Sequence, residues 1–371
     1  MTRSRSTILT ALVGIVALFA VACGGESSTS DSTTTAPGGS GSEVAGAPTD
    51  ADIKALTAKI AGGGASFPDA FYQAVNTDFN GVAGKELVTY AKSGSSDGRK
   101  QLGQQTLTFA GSDSVAKDGE TFAGGEILYF PTVAAPITIS YNLTGFTEKL
   151  QLSADTIAGI FEAKIATWNA PEIAADNPGV ELPGTPIVVV HRSDGSGTTN
   201  NFTKYLKAAA PDTWTLDSGD TVNWPANTQG AEKNSGVAQL IKQTNGAVGY
   251  VDLADAAKAG LPFASVKNSA GNFVAPSAAS VQAALESAEV KPDLTYNPLN
   301  APGDQAYPIT APTWILTYVK YTDPAIVSSL QTYLRYVLTT GQAEAASVGY
   351  VGVPASLQEQ AIAQVDKITA G

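Results

Sequence analysis

Val188-Val189-Val190-His191-Arg192-Ser193-Asp194-Gly195-Ser196-Gly197-Thr198-Thr199 runs from a strand into a helix through a short polar turn. Ile187 to Val190 are β-branched and apolar, as a buried strand requires. Phe202, Tyr205, Leu206 and Ala209 then fall at i, i+3, i+4 and i+7, the spacing of one helix face. A glycine-bearing turn at a helix start presents unpaired backbone N–H groups, and the helix dipole adds partial positive charge there. Together these favour an anion. Ser196, Thr198 and Thr199 add hydroxyl donors, and Arg192 adds a planar, permanently charged fork that suits a tetrahedral oxyanion. Asp194 has a use in such a site if it orients Arg192. The same residues would serve an ordinary capped helix beside a solvated arginine, so the stretch alone leaves both readings open.

Three other polar turns resemble it. Gly62-Gly63-Gly64-Ala65-Ser66-Phe67-Pro68 precedes a helix with Phe71, Val75 and Phe79 on its apolar face, with Ser66 suited to cap it and Pro68 to its first turn. Ser93-Gly94-Ser95-Ser96-Asp97-Gly98 follows a strand ending at Tyr90, and Ala110-Gly111-Ser112-Asp113-Ser114 follows one ending at Phe109. Serine-rich turns usually only cap helices. Turns after the carboxyl ends of parallel strands, however, share one edge of a sheet, where ligands bind. From Ile53 onward strand and helix patterns alternate. Strands are predicted at 86–90, 106–110, 134–141, 187–190, 247–251 and 314–319. Helices are predicted near 68–80, 97–104, 153–163, 199–209, 234–243, 277–288 and 324–341. This is the pattern of an α/β protein with mostly parallel sheets.

The 371 residues suffice for two domains once a processed segment is removed. Residues 1–23 read as a lipoprotein signal peptide: Arg3 and Arg5 start it, and Ile8 to Ala22 is apolar but too short for a comfortable membrane span. The run ends Ala20-Val21-Ala22-Cys23-Gly24, similar to a lipobox with Ala20 where leucine is more usual. Cys23 is the only cysteine, so a single chain has no disulfide and relies on its core. Residues 24–52 read as a Ser/Thr/Gly-rich tether. The net charge of −12 becomes −14 when Arg3 and Arg5 leave with the leader, which argues against nucleic acid and anionic lipid surfaces as partners. An anion would have to be bound by local hydrogen bonds, against the long-range field.

Catalysis finds little support. His191 is the only histidine, and Gly-x-Ser-x-Gly is absent around Ser196. No His/Cys cluster could hold zinc, and neither phosphate-loop nor dinucleotide glycine motifs occur, so no metal and no cofactor are expected. His191 reads as a strand-end packing residue.

Gly64-Ala65-Ser66-Phe67-Pro68, Gly94-Ser95-Ser96, Gly111-Ser112-Asp113 and Arg192-Ser193-Asp194-Gly195-Ser196-Gly197-Thr198 resemble, in order and spacing, the phosphate-binding proteins of high-affinity phosphate ABC transporters. Phe130-Pro131-Thr132, Gly246-Ala247-Val248-Gly249-Tyr250 and Tyr307-Pro308-Ile309-Thr310 resemble that family too, and the likeness runs from about residue 57 to the C-terminus. The resemblance implies a type II periplasmic-binding-protein fold: two α/β lobes, 53–137 with 310–371 and 138–309, joined by two crossing strands near Pro136–Ser140 and Tyr307–Ala311, with the ligand cleft between them. It implies phosphate contacts from Ser66, the Phe67 N–H, Ser95, Asp113, Arg192, Ser196, the Gly197 N–H and Thr198, with Asp194 holding Arg192. Asp113 would select phosphate, which keeps a proton to donate, over fully ionised sulfate. The implied partners are inorganic phosphate, the permease subunits and ATPase of an importer, and the outer face of the cell membrane through lipid on Cys23. Asp97-Gly98-Arg99 departs from the family's usual Gly-Gly-apolar sequence; Asp97 is expected to cap the helix and Arg99 to lie on its outer face. A surface phosphatase on the same fold and a receptor for sulfate or another oxyanion are the alternatives.

Overall fold

The computed structural model describes residues 45–371, so the readings for the signal peptide, Cys23 and the tether as far as residue 44 lie outside the described residues. Helix α1 (Asp50–Ala55) begins inside the stretch expected to be tether. Its cause is a capping box: the Thr49 hydroxyl accepts from Asp52 N at 3.2 Å while the Asp52 carboxylate accepts from Thr49 N at 2.9 Å. Ile53 anchors the turn in the core.

The first lobe is built on three parallel strands. They are β1 (Ile60–Gly64), β2 (Val88–Lys92) and β3 (Phe109–Ser112), with helices α2 (Asp69–Ala83) after β1 and α3 (Ser95–Gly103) after β2. β4 (Ile127–Tyr141) follows. The second lobe is built on β5 (Val188–Arg192), β6 (Gln229–Ala231) and β7 (Ala247–Asp252), again parallel, with α4 (Gly197–Ala209) after β5, α5 (Lys233–Gln243) after β6 and α6 (Leu253–Ala259) after β7. β8 (Thr310–Tyr318) returns the chain to the first lobe, and α7 (Pro324–Leu338) packs there. The strands lie in the order β2-β1-β3-β8-β4-β7-β5-β6. The sheet is mixed rather than mostly parallel, because β8 runs antiparallel to both β3 and β4, and β4 antiparallel to β7.

β4 belongs to both lobes. Up to Pro136 it pairs with β8, and from Ile137 it pairs with β7. At the changeover Ile137 N donates to Ile309 O at 2.8 Å, so both crossing segments meet there. The burial of β4 over nearly its whole length explains its largely apolar sequence, in which only Thr132, Thr138 and Ser140 carry aliphatic hydroxyls.

β1 escapes sequence reading because Ala61-Gly62-Gly63-Gly64 carries no strand propensity. Close packing dictates it. A Cβ on Gly62 would lie 2.1 Å from the Phe109 ring, and Gly64, at φ +132°, would place one 2.2 Å from Gly111 O. The first-lobe core is aromatic. Tyr72 and Tyr90 meet at 4.8 Å between ring centroids, and Phe79 and Tyr333 at 5.4 Å, edge to face. In the second lobe Phe202 stacks on Tyr250 at 4.4 Å.

Candidate functional site

Every strand of the two parallel triplets ends at one cleft. β1, β2 and β3 deliver Ser66, Ser95 and Asp113 from the first lobe; β5, β6 and β7 deliver the Arg192–Thr198 turn, Asn234 and Asp252 from the second. Ser66, Ser95, Asp113, Arg192, Ser196, Thr198, Asn234 and Asp252 are buried, Asp194 is partly buried, and Ser193 faces solvent.

In the second lobe Ser196 is the N-cap of α4, in extended backbone, and accepts from Thr199 N at 3.1 Å. The N–H groups of Gly197 and Thr198 form no hydrogen bond among the described residues. Arg192 is 3 % exposed. Its Nε and Nη2 donate to the two Asp194 oxygens at 2.7 and 2.6 Å, and its Nη1 donates to Asn234 Oδ1 at 2.6 Å. Of the five guanidinium N–H groups, these bonds leave one on Nη1 and one on Nη2, a fork for a second oxyanion. Burial raises the Asp194 carboxyl, but the bonds and charge of Arg192, with Lys233, hold it well below the usual carboxylate range. Asp194 therefore stays ionised and fixes the arginine.

In the first lobe Asp113 accepts from the Thr313 hydroxyl at 2.7 Å and more weakly from Ser95 Oγ at 3.4 Å. Burial pushes its carboxyl up from 3.8 to about 7, against the Thr313 bond and the charge of Arg192. Ser66 does not cap α2: the N-cap is Pro68, with no side-chain bond. Its hydroxyl instead accepts from Asn234 N across the cleft at 3.3 Å. The Phe67 ring is spent on the core, against Tyr350, while its N–H has no partner among the described residues.

The two halves touch. A Cβ at Gly197 would lie 2.5 Å from Ser95 Oγ and 2.7 Å from Asp113 Cβ, so only glycine lets the α4 start come so near the first lobe. Asn201 Nδ2 donates to Asp113 O at 2.6 Å, Lys233 Nζ to Ser93 O at 2.8 Å, and Ser96 N to Gly195 O at 3.2 Å. The lobes are in the closed arrangement. His191 takes no part; it stacks on Trp224 at 4.8 Å and donates from Nδ1 to Arg192 O.

Residues 28–340 match the family model described as a PBP superfamily domain. Phosphate-binding protein PstS of Xylella fastidiosa (strain 9a5c) is 35 % identical over 81 % of this chain and 83 % of its own. The chain belongs to the PstS phosphate-binding protein family. Phosphate-binding protein PstS 2 of Mycobacterium tuberculosis (strain H37Rv) is 31 % identical over 99 % of both chains. Among solved structures, the high-affinity periplasmic phosphate-binding protein PfluDING, bound with phosphate, matches with a TM-score of 0.69 and 25 % identity over 82 % of this chain and 93 % of its own. These relatives are binding proteins by name, not enzymes. The fold of this PstS-family chain is accordingly the two-lobed periplasmic-binding-protein fold.

Three features of this PstS-family site escaped sequence reading. Asn234 joins the lobes and the network: besides Arg192 and Ser66 it bonds Thr198 Oγ1 at 3.2 Å and Asp252 Oδ2 at 2.8 Å. Lys233 adds its ammonium to Asp194 at 3.1 Å. Arg99, expected on an outer helix face, is 1 % exposed and bridges the lobes. Its Nη2 donates to Asp220 at 2.6 Å, Nε to Glu120 at 2.7 Å, and Nη1 to Ser112 and Ser114 hydroxyls at 2.9 and 2.8 Å. Asp220 also accepts from Ser96 Oγ at 2.7 Å. Asp97 does not cap α3; the N-cap is Gly94, and Asp97 accepts from Gln101 one turn on. Gly98 presses α3 onto β1, so the helix turns Arg99 inward between the lobes.

Proposed function

We propose that this chain is an extracytoplasmic receptor that binds inorganic phosphate between its lobes and hands it to the permease subunits and ATPase of an ABC importer, with no chemistry on the ligand. One observation carries the reading: the start of α4, with its unpaired Gly197 and Thr198 N–H groups and the spare fork of Arg192, lies directly against Ser95 and Asp113 of the other lobe. The phosphate contacts are Ser66, the Phe67 N–H, Ser95, Asp113, Arg192, Ser196, the Gly197 N–H and Thr198, and Asp194 keeps Arg192 in position. Phosphate near neutral pH retains a proton and gives it to Asp113 in a hydrogen bond; sulfate has none to give.

The lobes, 53–137 with 310–371 and 138–309, hinge where the β4 pairing changes, and a ligand touching both stabilises the closed form by differential affinity. Lipid on Cys23 holds the receptor at the outer face of the membrane. Calorimetric titration tests the reading. At pH 8 saturable heat with phosphate and none with sulfate is expected; no binding of phosphate at that pH overturns it.

A further inference from the structure

A cavity of about 230 Å³ adjoins the site on the Asp113 side, walled by Asp113, Asn201, Lys204, Lys291, Tyr296 and Trp314 among others. Counted against a water's share of liquid volume, about 30 Å³, it has room for a hydrated tetrahedral anion. Its two lysines are exposed and form no ion pair among the described residues, whereas Lys92, Lys117 and Lys233 near the cleft each have a carboxylate partner. Desolvation of its inner part lowers the Lys204 pKa; of the charges nearby Asp220 acts most strongly and opposes this, while Lys291, Arg99 and Lys117 lower it further. Lys204 and Lys291 are like charges with no direct ion pair among the described residues, and an anion between them would relieve their repulsion. Tyr296, in the same wall, is 6 % exposed, and its hydroxyl has no hydrogen-bond partner among the described residues.

The opposite flank of the site differs. There a cavity of about 180 Å³ beside Ser66 is lined by Asp69, Asp252 and Asp255 with Lys92 and Lys258, so acids outnumber bases. The chain carries a net charge of −12, so the long-range field repels an approaching anion, and of the two flanking cavities only this one has more lysines than acids in its wall. We propose that the Lys204–Lys291 cavity is a weak outer site that captures phosphate and directs it to the cleft before the lobes close. The inference rests on the phosphate-receptor reading. It makes the two mouths of the cleft unequal, and it assigns the lysines to the rate of association rather than to the strength of the final complex, as expected for charges at the rim of a site.

Stopped-flow tryptophan fluorescence with inorganic phosphate tests it, using the parent, a Lys204→Gln/Lys291→Gln double variant and Lys258→Gln as the control on the other flank. At low ionic strength the double variant should associate about 3- to 10-fold more slowly, near the low end of what charge steering supplies. Its dissociation rate should be unchanged, the difference should shrink as salt shortens the reach of the charges, and Lys258→Gln should match the parent. Equal association rates in parent and double variant, or an equal fall in Lys258→Gln, would overturn the inference while leaving the receptor reading intact. Absence of phosphate binding by the parent would overturn both.

Discussion

Asp113→Asn should move selectivity from phosphate toward sulfate, and the structure sets the scale. Burial lifts the Asp113 carboxyl from 3.8 to about 7, a rise of about three pH units. At about 1.36 kcal/mol per unit, carrying that charge in the cleft costs about 4 kcal/mol more than in water. Phosphate meets the charge with a proton, while sulfate meets it unpaired. The amide is nearly isosteric, keeps an oxygen acceptor and adds N–H donors. Phosphate then exchanges a charge-assisted hydrogen bond for a neutral one, a loss of about 1 kcal/mol or about 5-fold in Kd. Sulfate is relieved of an uncompensated repulsion of about 2–4 kcal/mol, an improvement of about 30- to 700-fold.

The sign with pH follows from the same carboxyl. Its folded value is raised, so lowering the pH through about 7 protonates it, and a protonated carboxyl donates to sulfate as the amide does. The parent should therefore admit sulfate at pH 6 and reject it at pH 8, and the variant should admit it at both. Calorimetric competition of sulfate against phosphate at the two pH values checks this. Sulfate competing equally with both proteins at pH 8, or with neither, would refute the role given to Asp113.

Arg192→Lys keeps the charge but loses the fork shared between Asp194 and the ligand; charged hydrogen bonds worth about 1.5–3 kcal/mol predict a Kd for phosphate about 10- to 100-fold weaker, and an unchanged Kd would make Arg192 a bystander. Gly197→Ala puts a methyl within 2.5 Å of Ser95 Oγ, so closure should be blocked at about 1–3 kcal/mol. Small-angle scattering with saturating phosphate should then give a larger radius than the parent, and a Kd and radius equal to the parent's would contradict the contact. Cys23→Ser should leave the protein unprocessed or released from the membrane, read by fractionation and mass spectrometry of its N-terminus; a parent protein with Cys23 unmodified and another mature start would exclude lipidation.

Much of this was legible from local pattern. The strand–turn–helix at 188–199 announces itself through β-branched residues followed by helical spacing, and the turns at Ser66, Ser95 and Asp113 through glycine and serine after apolar runs. What stayed hidden depends on distance. Arg99 and Asp220 are 121 positions apart, and nothing near either one says that they meet. Asn234 looks like any polar residue in a first helical turn until Arg192, Ser66 and Asp252 surround it. Ser66 has the sequence of a cap but serves the facing lobe, because Pro68 takes the cap position. β1 is a strand for want of side chains rather than because of them.

The Arg99–Asp220 pair has a consequence for how the protein signals. Both side chains are fully buried in the closed arrangement, and a charge taken out of water is compensated only when its partner arrives at hydrogen-bonding distance. A half-shut cleft would strip water from Asp220 before Arg99 reached it, so intermediate poses are disfavoured relative to both ends. For the proposed receptor the pair would work as a detent: the molecule would click between open and shut, and the proposed membrane partner would read a binary state rather than a graded one.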